Sequence, residues 1–143
     1  MNDYVQCWKQ FANFQGRTRR SVFWLFVLIN FLIACVILAV AFTQTDERQD
    51  FTYLGLFILT VLIAFLLAVL LPTASVTVRR LHDANLPGWY VWIILVPVFG
   101  IFMLAFWTAL DSVIGMNPYG PNPKQISPQN EDPEYFNRVR RVL

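Results

Sequence analysis

Three stretches of this chain, residues 21–45, 51–78 and 84–110, contain none of its eleven Lys and Arg or nine Asp and Glu residues. Each is long enough to hold a helix that crosses a bilayer core of roughly 30 Å, which takes about 20 apolar residues. With 57% of residues hydrophobic and 14% charged, against about 25% charged in a soluble domain, the chain reads as an all-α integral membrane protein.

The first span is expected over 22–42, where a rise of ~1.5 Å per residue gives about 31 Å. Phe23, Trp24 and Phe26 stand at its basic end, the level at which aromatic side chains favour the headgroup boundary. A basic leader, an apolar run and Ala39-Val40-Ala41 imitate a signal peptide. The run exceeds the usual ~7–15 residues, however, and the leader is amphipathic. The second span covers 51–78, with Pro72 set to kink or end it and Thr73, Ser75 and Thr77 able to bond the carbonyls it frees.

The third apolar run covers 89–110. Pro97 and Gly100 in its middle leave two forms, a kinked span or a re-entrant hairpin of two half-helices. The span is favoured, because lipid does not tolerate broken backbone and a hairpin needs cover from only two other helices. The expected membrane domain is therefore 1–111 with three spans.

Ahead of the first span, residues 3–13 set Tyr4, Trp8, Phe11 and Ala12 on one side at helical spacing and Gln6, Lys9, Gln10 and Asn13 on the other. This suits a short interfacial amphipathic helix. Gly16 breaks it, and Ser21 is placed to cap the next helix. Cys7 precedes the first span and Cys35 lies within it, so both are expected as free thiols. Beyond residue 111, five of the eight prolines fall in 112–143. Residues 117–123 read as turns or extended chain, 131–143 as a short helix with Arg138, Arg140 and Arg141, and part of this tail as disordered.

Charge sets the orientation. Lys9, Arg17, Arg19 and Arg20 precede the first span, Arg48 stands alone among Asp46, Glu47 and Asp50 after it, and Arg79 and Arg80 follow the second. The positive-inside bias puts the N-terminus and the 79–88 turn in the cytoplasm and the acidic loop outside. Three spans then carry the tail to the far side, against a weak contrary signal from the basic residues near the C-terminus.

Threading the chain in this way brings two arginine clusters to one face. Arg17, Arg19, Arg20, Arg79, Arg80 and His82 are expected to converge on an anionic group, either a lipid headgroup or an acidic protein partner, because guanidinium forks suit phosphate. The plainer alternative is that the arginines fix topology and Asp83 pairs with one of them. Asp83, Pro87, Gly88 and Trp89 make the structural turn, with Pro87-Gly88 suited to type II. His82-Asp83 supplies two metal ligands where closed zinc sites need four, so no metal or cofactor is expected.

A membrane enzyme acting on phosphate-containing lipid would use His82 and Asp83 as acid and base. No nucleophile, Gly-rich loop or acidic cluster accompanies the pair, and no catalytic residue is assigned. A transporter or channel subunit acting as an oligomer is the other alternative, though the spans carry no ionisable residue. Self-association has apolar surface to draw on but no small-xxx-small seam. Nucleic acid is not expected, since the arginines are few and lie at membrane ends.

Phe14-x-Gly16-Arg17-x-Arg19-Arg20-x-x-Phe23-Trp24, Arg79-Arg80-Leu81-His82-Asp83 with Gly88-Trp89, and Asn117-x-Tyr119-Gly120-x-Asn122-Pro123 together resemble domain-of-unknown-function family 805, small YhaH-like bacterial inner-membrane proteins. The resemblance covers roughly 1–124. It departs at Pro87, where the family often has Ser, and at Val22, where an acidic residue often precedes the aromatic pair. It implies an integral inner-membrane protein of uncharacterised role and no particular activity.

Overall fold

Two long helices carry most of the apolar sequence. A computed structural model of the protein describes residues 2–44, 52–113, 115 and 117–123. In order these form α1 (Asn2–Lys9), α2 (Arg20–Phe42), α3 (Tyr53–Asp83), a 3-10 helix (Gly88–Leu95) and α4 (Phe99–Ala109), with no strand among the described residues. Asp46, Glu47 and Asp50 of the acidic loop and the helix expected over 131–143 lie outside the described residues.

Both α2 and α3 are long and apolar enough to cross a bilayer. Their outer surfaces are apolar: Phe31 is 63% and Leu70 66% exposed, an arrangement that suits lipid and not water. α2 starts at Arg20 with Arg19 in extended conformation as its N-cap residue, so Ser21 falls inside the first turn and does not cap. α3 is capped by Thr52, whose hydroxyl accepts from the Gly55 amide at 3.3 Å.

Pro72 does not end α3, which runs on to Asp83. Thr77 Oγ1 bonds the Thr73 carbonyl at 2.7 Å, but Ser75 Oγ leaves the helix and bonds the carbonyls of Gln10 (3.1 Å) and Asn13 (2.6 Å). Those two carbonyls are thereby tied to α3. α1 accordingly stops at Lys9 and gives way to turns, short of the helix expected to Asn13. It rests on the bundle through buried Cys7 and the rings of Tyr4 and Trp8, which pack on Phe26 at 5.5 and 6.2 Å.

The third apolar run corrects the favoured expectation. It is a hairpin, with the 3-10 helix going in and α4 coming back, and Tyr90 near one end meets Trp107 near the other at 4.8 Å. Eight residues of 3-10 helix and eleven of α-helix each reach about 16 Å, roughly half the hydrocarbon core. The reversal is a γ-turn of the strained hand: Val98 has φ 61 and ψ −64, and the Phe99 amide bonds the Pro97 carbonyl at 2.7 Å. Gly100 lets the two arms touch, since a Cβ there would stand 1.8 Å from the Ile93 carbonyl oxygen. The residues after α4 therefore return to the end of the bundle that holds Arg17 and Asp83, where the Val113 amide bonds the Asp83 carbonyl at 3.1 Å; they are not carried to the far side.

The turn before the hairpin also differs from type II. Asn85, and not Gly88, takes the left-handed conformation, with φ 59. The Leu86 amide bonds the Leu81 carbonyl and the Asn85 amide bonds that of His82, which closes α3 as a Schellman motif. Gly88 is needed for room: a Cβ there would lie 2.7 Å from Val78 Cγ1 and 3.0 Å from His82 Nε2.

Candidate functional site

The last turns of α3 change character. Every residue from Arg79 to Asp83 is buried, and four other parts of the chain converge on them: α1 with its turn, the 14–19 strap, the end of α4 and the described residues of 111–123.

Asp83 is the hub. Its carboxylate, fully buried, accepts from Arg17 Nε at 2.9 Å, from Arg80 Nη1, and from Ser112 Oγ at 2.5 Å. One carboxylate cannot take every donor of two guanidinium groups, and backbone carbonyls take the rest. Arg17 Nη1 donates to Gly115 (3.0 Å) and Gly120 (3.3 Å), and its Nη2 to Val113 (2.7 Å) and Asp83 (3.3 Å). With Nε on Asp83, five bonds occupy all five donors of that guanidinium. Arg80 donates to Thr108 (2.9 Å) and Leu110, where the C-terminal carbonyls of α4 lack helical partners.

His82 sits on the other side of this hub. Its ring stacks on Tyr119 at 3.8 Å with 3° between planes, and Asn117 Nδ2 bonds its carbonyl at 2.8 Å. The Asn117–Gly120 turn, closed by reciprocal backbone bonds, presents both groups. The tail motif thus works as a clasp on α3.

Arg79 points elsewhere, toward α1. It is 6% exposed. Its Nη1 donates to Gln10 Oε1, and its Nε makes a long 3.4 Å contact with the Ser75 carbonyl. Among the described residues Nη2 is buried with no partner and no carboxylate pairs with this charge. Arg79 borders a cleft of about 310 Å³ that Arg17, Arg19, Asp3, Gln6 and Gln10 also line. Arg19 gives Nε (2.8 Å) and Nη2 to the Pro123 carbonyl, and its Nη1 has no partner among the described residues.

Of the six residues expected to share an anion, the cleft thus gathers Arg17, Arg19 and Arg79. Arg80 and His82 do not border it, and Arg20 is exposed at the start of α2. Asp3, Gln6, Gln10 and Cys7 were not singled out as site residues. The signal available was helical spacing, since positions 3, 6 and 7 of α1 share one face and position 10 follows at the same spacing in the turn after it. Burial pushes the Cys7 thiol above its ordinary pKa, with Arg79 pulling it down and Asp3 adding to the rise. Cys7 is therefore a neutral wall of the cleft and not a thiolate nucleophile.

The family described as Protein of unknown function (DUF805) matches residues 11–121. Inner membrane protein YhaI of Escherichia coli strain K12 is 31% identical over 124 residues, covering 87% of this chain and 97% of the relative. Inner membrane protein YhaH of the same strain is also 31% identical over 124 residues, covering 87% and 98%. No solved structure matches the chain.

Proposed function

We propose that this chain, which belongs to the DUF805 family, is a non-catalytic binding module of the bacterial inner membrane that holds the phosphate of a lipid headgroup in the cleft beside Arg79. One observation carries the reading: Arg79 is a buried guanidinium with no carboxylate partner among the described residues and an unpartnered Nη2, at the wall of a cleft. A buried charge without a counter-ion costs several kcal/mol, of order ~3–5 when a buried pair is broken. A phosphate oxygen in place of the neutral Gln10 amide would form charge-assisted bonds about twice as strong as neutral ones.

Position supports a headgroup. Arg79 stands one turn from the end of α3, where a spanning helix meets the polar boundary. The Lys and Arg asymmetry around α2 and α3 favours the cytoplasmic face for this end, and the relatives' names favour the inner membrane. An acid-base enzyme gains no support, because Asp83 is engaged by Arg17, Arg80 and Ser112 while His82 lies against Tyr119.

Native mass spectrometry of the detergent-purified protein tests this. Wild type should retain phospholipid, Arg79→Gln should lose it, and Arg79→Lys, which keeps the charge, should retain part of it. Equal retention by wild type and Arg79→Gln, both folded by thermal melting, would overturn the reading.

A further inference from the structure

The cleft beside Arg79 has two electrostatic sides. The donors left on its arginines belong to Arg79, whose Nη2 is buried without a partner among the described residues, and to Arg19, whose Nη1 has none there either, because Arg17 has spent all five of its own on Asp83 and backbone carbonyls. Its carboxylate is Asp3, in the first turn of α1. Three arginines border the same cleft, yet Asp3 forms no ion pair with any of them. Cation and anion thus line one cleft without pairing.

Opposite charges left unpaired in this way are complementary to a ligand with the reverse pair. A headgroup with a phosphate alone meets Arg79 and Arg19 but leaves Asp3 facing negative charge. A headgroup with phosphate and ammonium satisfies both sides, and discrimination of this kind comes as much from the repelled competitor as from the preferred one. At about 310 Å³, the cleft sits at the small end of ligand cavities, roughly 300–1,000 Å³, which suits a compact headgroup over a sugar-bearing one.

We infer that the cleft selects phosphate esters bearing an ammonium group, of the phosphatidylethanolamine kind, with Arg79 and Arg19 on the phosphate and Asp3 on the ammonium. This rests on the headgroup reading above and adds the ligand class. Asp3 is exposed, so its replacement leaves the packed interior intact.

The test is lipid titration of the full-length protein in detergent, read by native mass spectrometry, with phosphatidylethanolamine and phosphatidylglycerol of identical acyl chains. Wild type should prefer phosphatidylethanolamine by roughly two- to fivefold, the scale of one solvent-exposed ion pair. Asp3→Asn should bind both lipids without preference, and Asp3→Glu should restore the preference. Soluble glycerophosphoethanolamine, added in excess, assigns the headgroup alone as ligand if it displaces the lipid, and the intact lipid if it does not; either agrees with the two-sided cleft. A wild-type preference for phosphatidylglycerol, or a preference unchanged in Asp3→Asn, would overturn the inference while binding lost in Arg79→Gln keeps the headgroup reading. Binding of both lipids undiminished in Arg79→Gln would remove the headgroup reading itself.

Discussion

Arg17 Nε lies 2.9 Å from Asp83 Oδ1 although 66 positions separate the two residues in the chain, and neither side chain is more than 1% exposed. This pair joins the strap before α2 to the end of α3. The same guanidinium reaches Val113, Gly115 and Gly120, so one side chain fastens three segments.

Arg17→Lys keeps the charge but not the planar fork, and an ammonium with three donors cannot serve five acceptors that surround a guanidinium. Asp83→Asn should lose about 3–5 kcal/mol, as for breaking a buried ion pair, and Arg17→Lys about 1–3 kcal/mol for each buried carbonyl left without a donor. Thermal melting in detergent should show a large drop for Arg17→Lys and Asp83→Asn and little change for the exposed Arg20→Gln. An unchanged melting temperature in Arg17→Lys would mean that the fork is not what holds the polar end together.

Two glycines separate backbone contact from side-chain contact. At Gly100 an added Cβ meets the Ile93 carbonyl at 1.8 Å and cannot be relieved without opening the hairpin; at Gly88 it meets the tip of Val78. Gly100→Ala should destabilise by roughly 3 kcal/mol and Gly88→Ala by about 1 kcal/mol, the ends of the overpacking range. Comparable melting temperatures for the two variants would contradict the hairpin packing.

The hairpin also sets sidedness. Gln15 and Pro121 are both exposed and lie in segments held to the same polar end by Arg17 and Arg19. Single cysteines at these positions, in a background lacking Cys7 and Cys35, should react with a membrane-impermeant maleimide from one side only, and from the same side. Labelling from opposite sides would restore a full third crossing.

Cys7 gives a dependence on pH. Its folded pKa is raised by burial above the ordinary 9.0, so the folded protein binds a proton that the unfolded chain releases. The stability linked to the neutral thiol is whole below pH 9 and falls as pH climbs through the raised value. In a Cys35→Ser background, alkaline loss of melting temperature should be smaller for Cys7→Ala than for the protein that retains Cys7. Parallel losses would place the titrating group elsewhere.

How much of this was legible in the sequence depended on the range of the interaction. The charge-free gaps mark α2 and α3 because lipid exposure leaves no choice of composition; of the two arginine clusters, Arg17 and Arg19 border one cleft with Arg79, and Arg20 and Arg80 do not. The hairpin was named as one of two forms but not preferred, since Pro97 and Gly100 fit a kink equally well. What decides it is the approach of Gly100 to Ile93, a contact between backbones that leaves no pattern in side chains. The positive φ falls on Asn85 and not on Gly88 for a similar reason: glycine was read as a source of positive φ when its use here is space against Val78. Which arginines keep free donors was hidden as well. That follows from counting carbonyls at 108, 110, 113, 115 and 120, and carbonyls are identical in every residue.

The Asp83 hub also has an order of assembly in time. A ribosome makes Arg17 before α2 and α3, and the Val113 carbonyl that it needs is synthesised 96 residues later. Both long helices can enter the bilayer while that guanidinium still holds water or a transient anion. The bonds from Arg17 to Val113, Gly115 and Gly120 can therefore all form only after Gly120 has been made, so the segment beyond α4 supplies the latest-synthesised partners of that guanidinium.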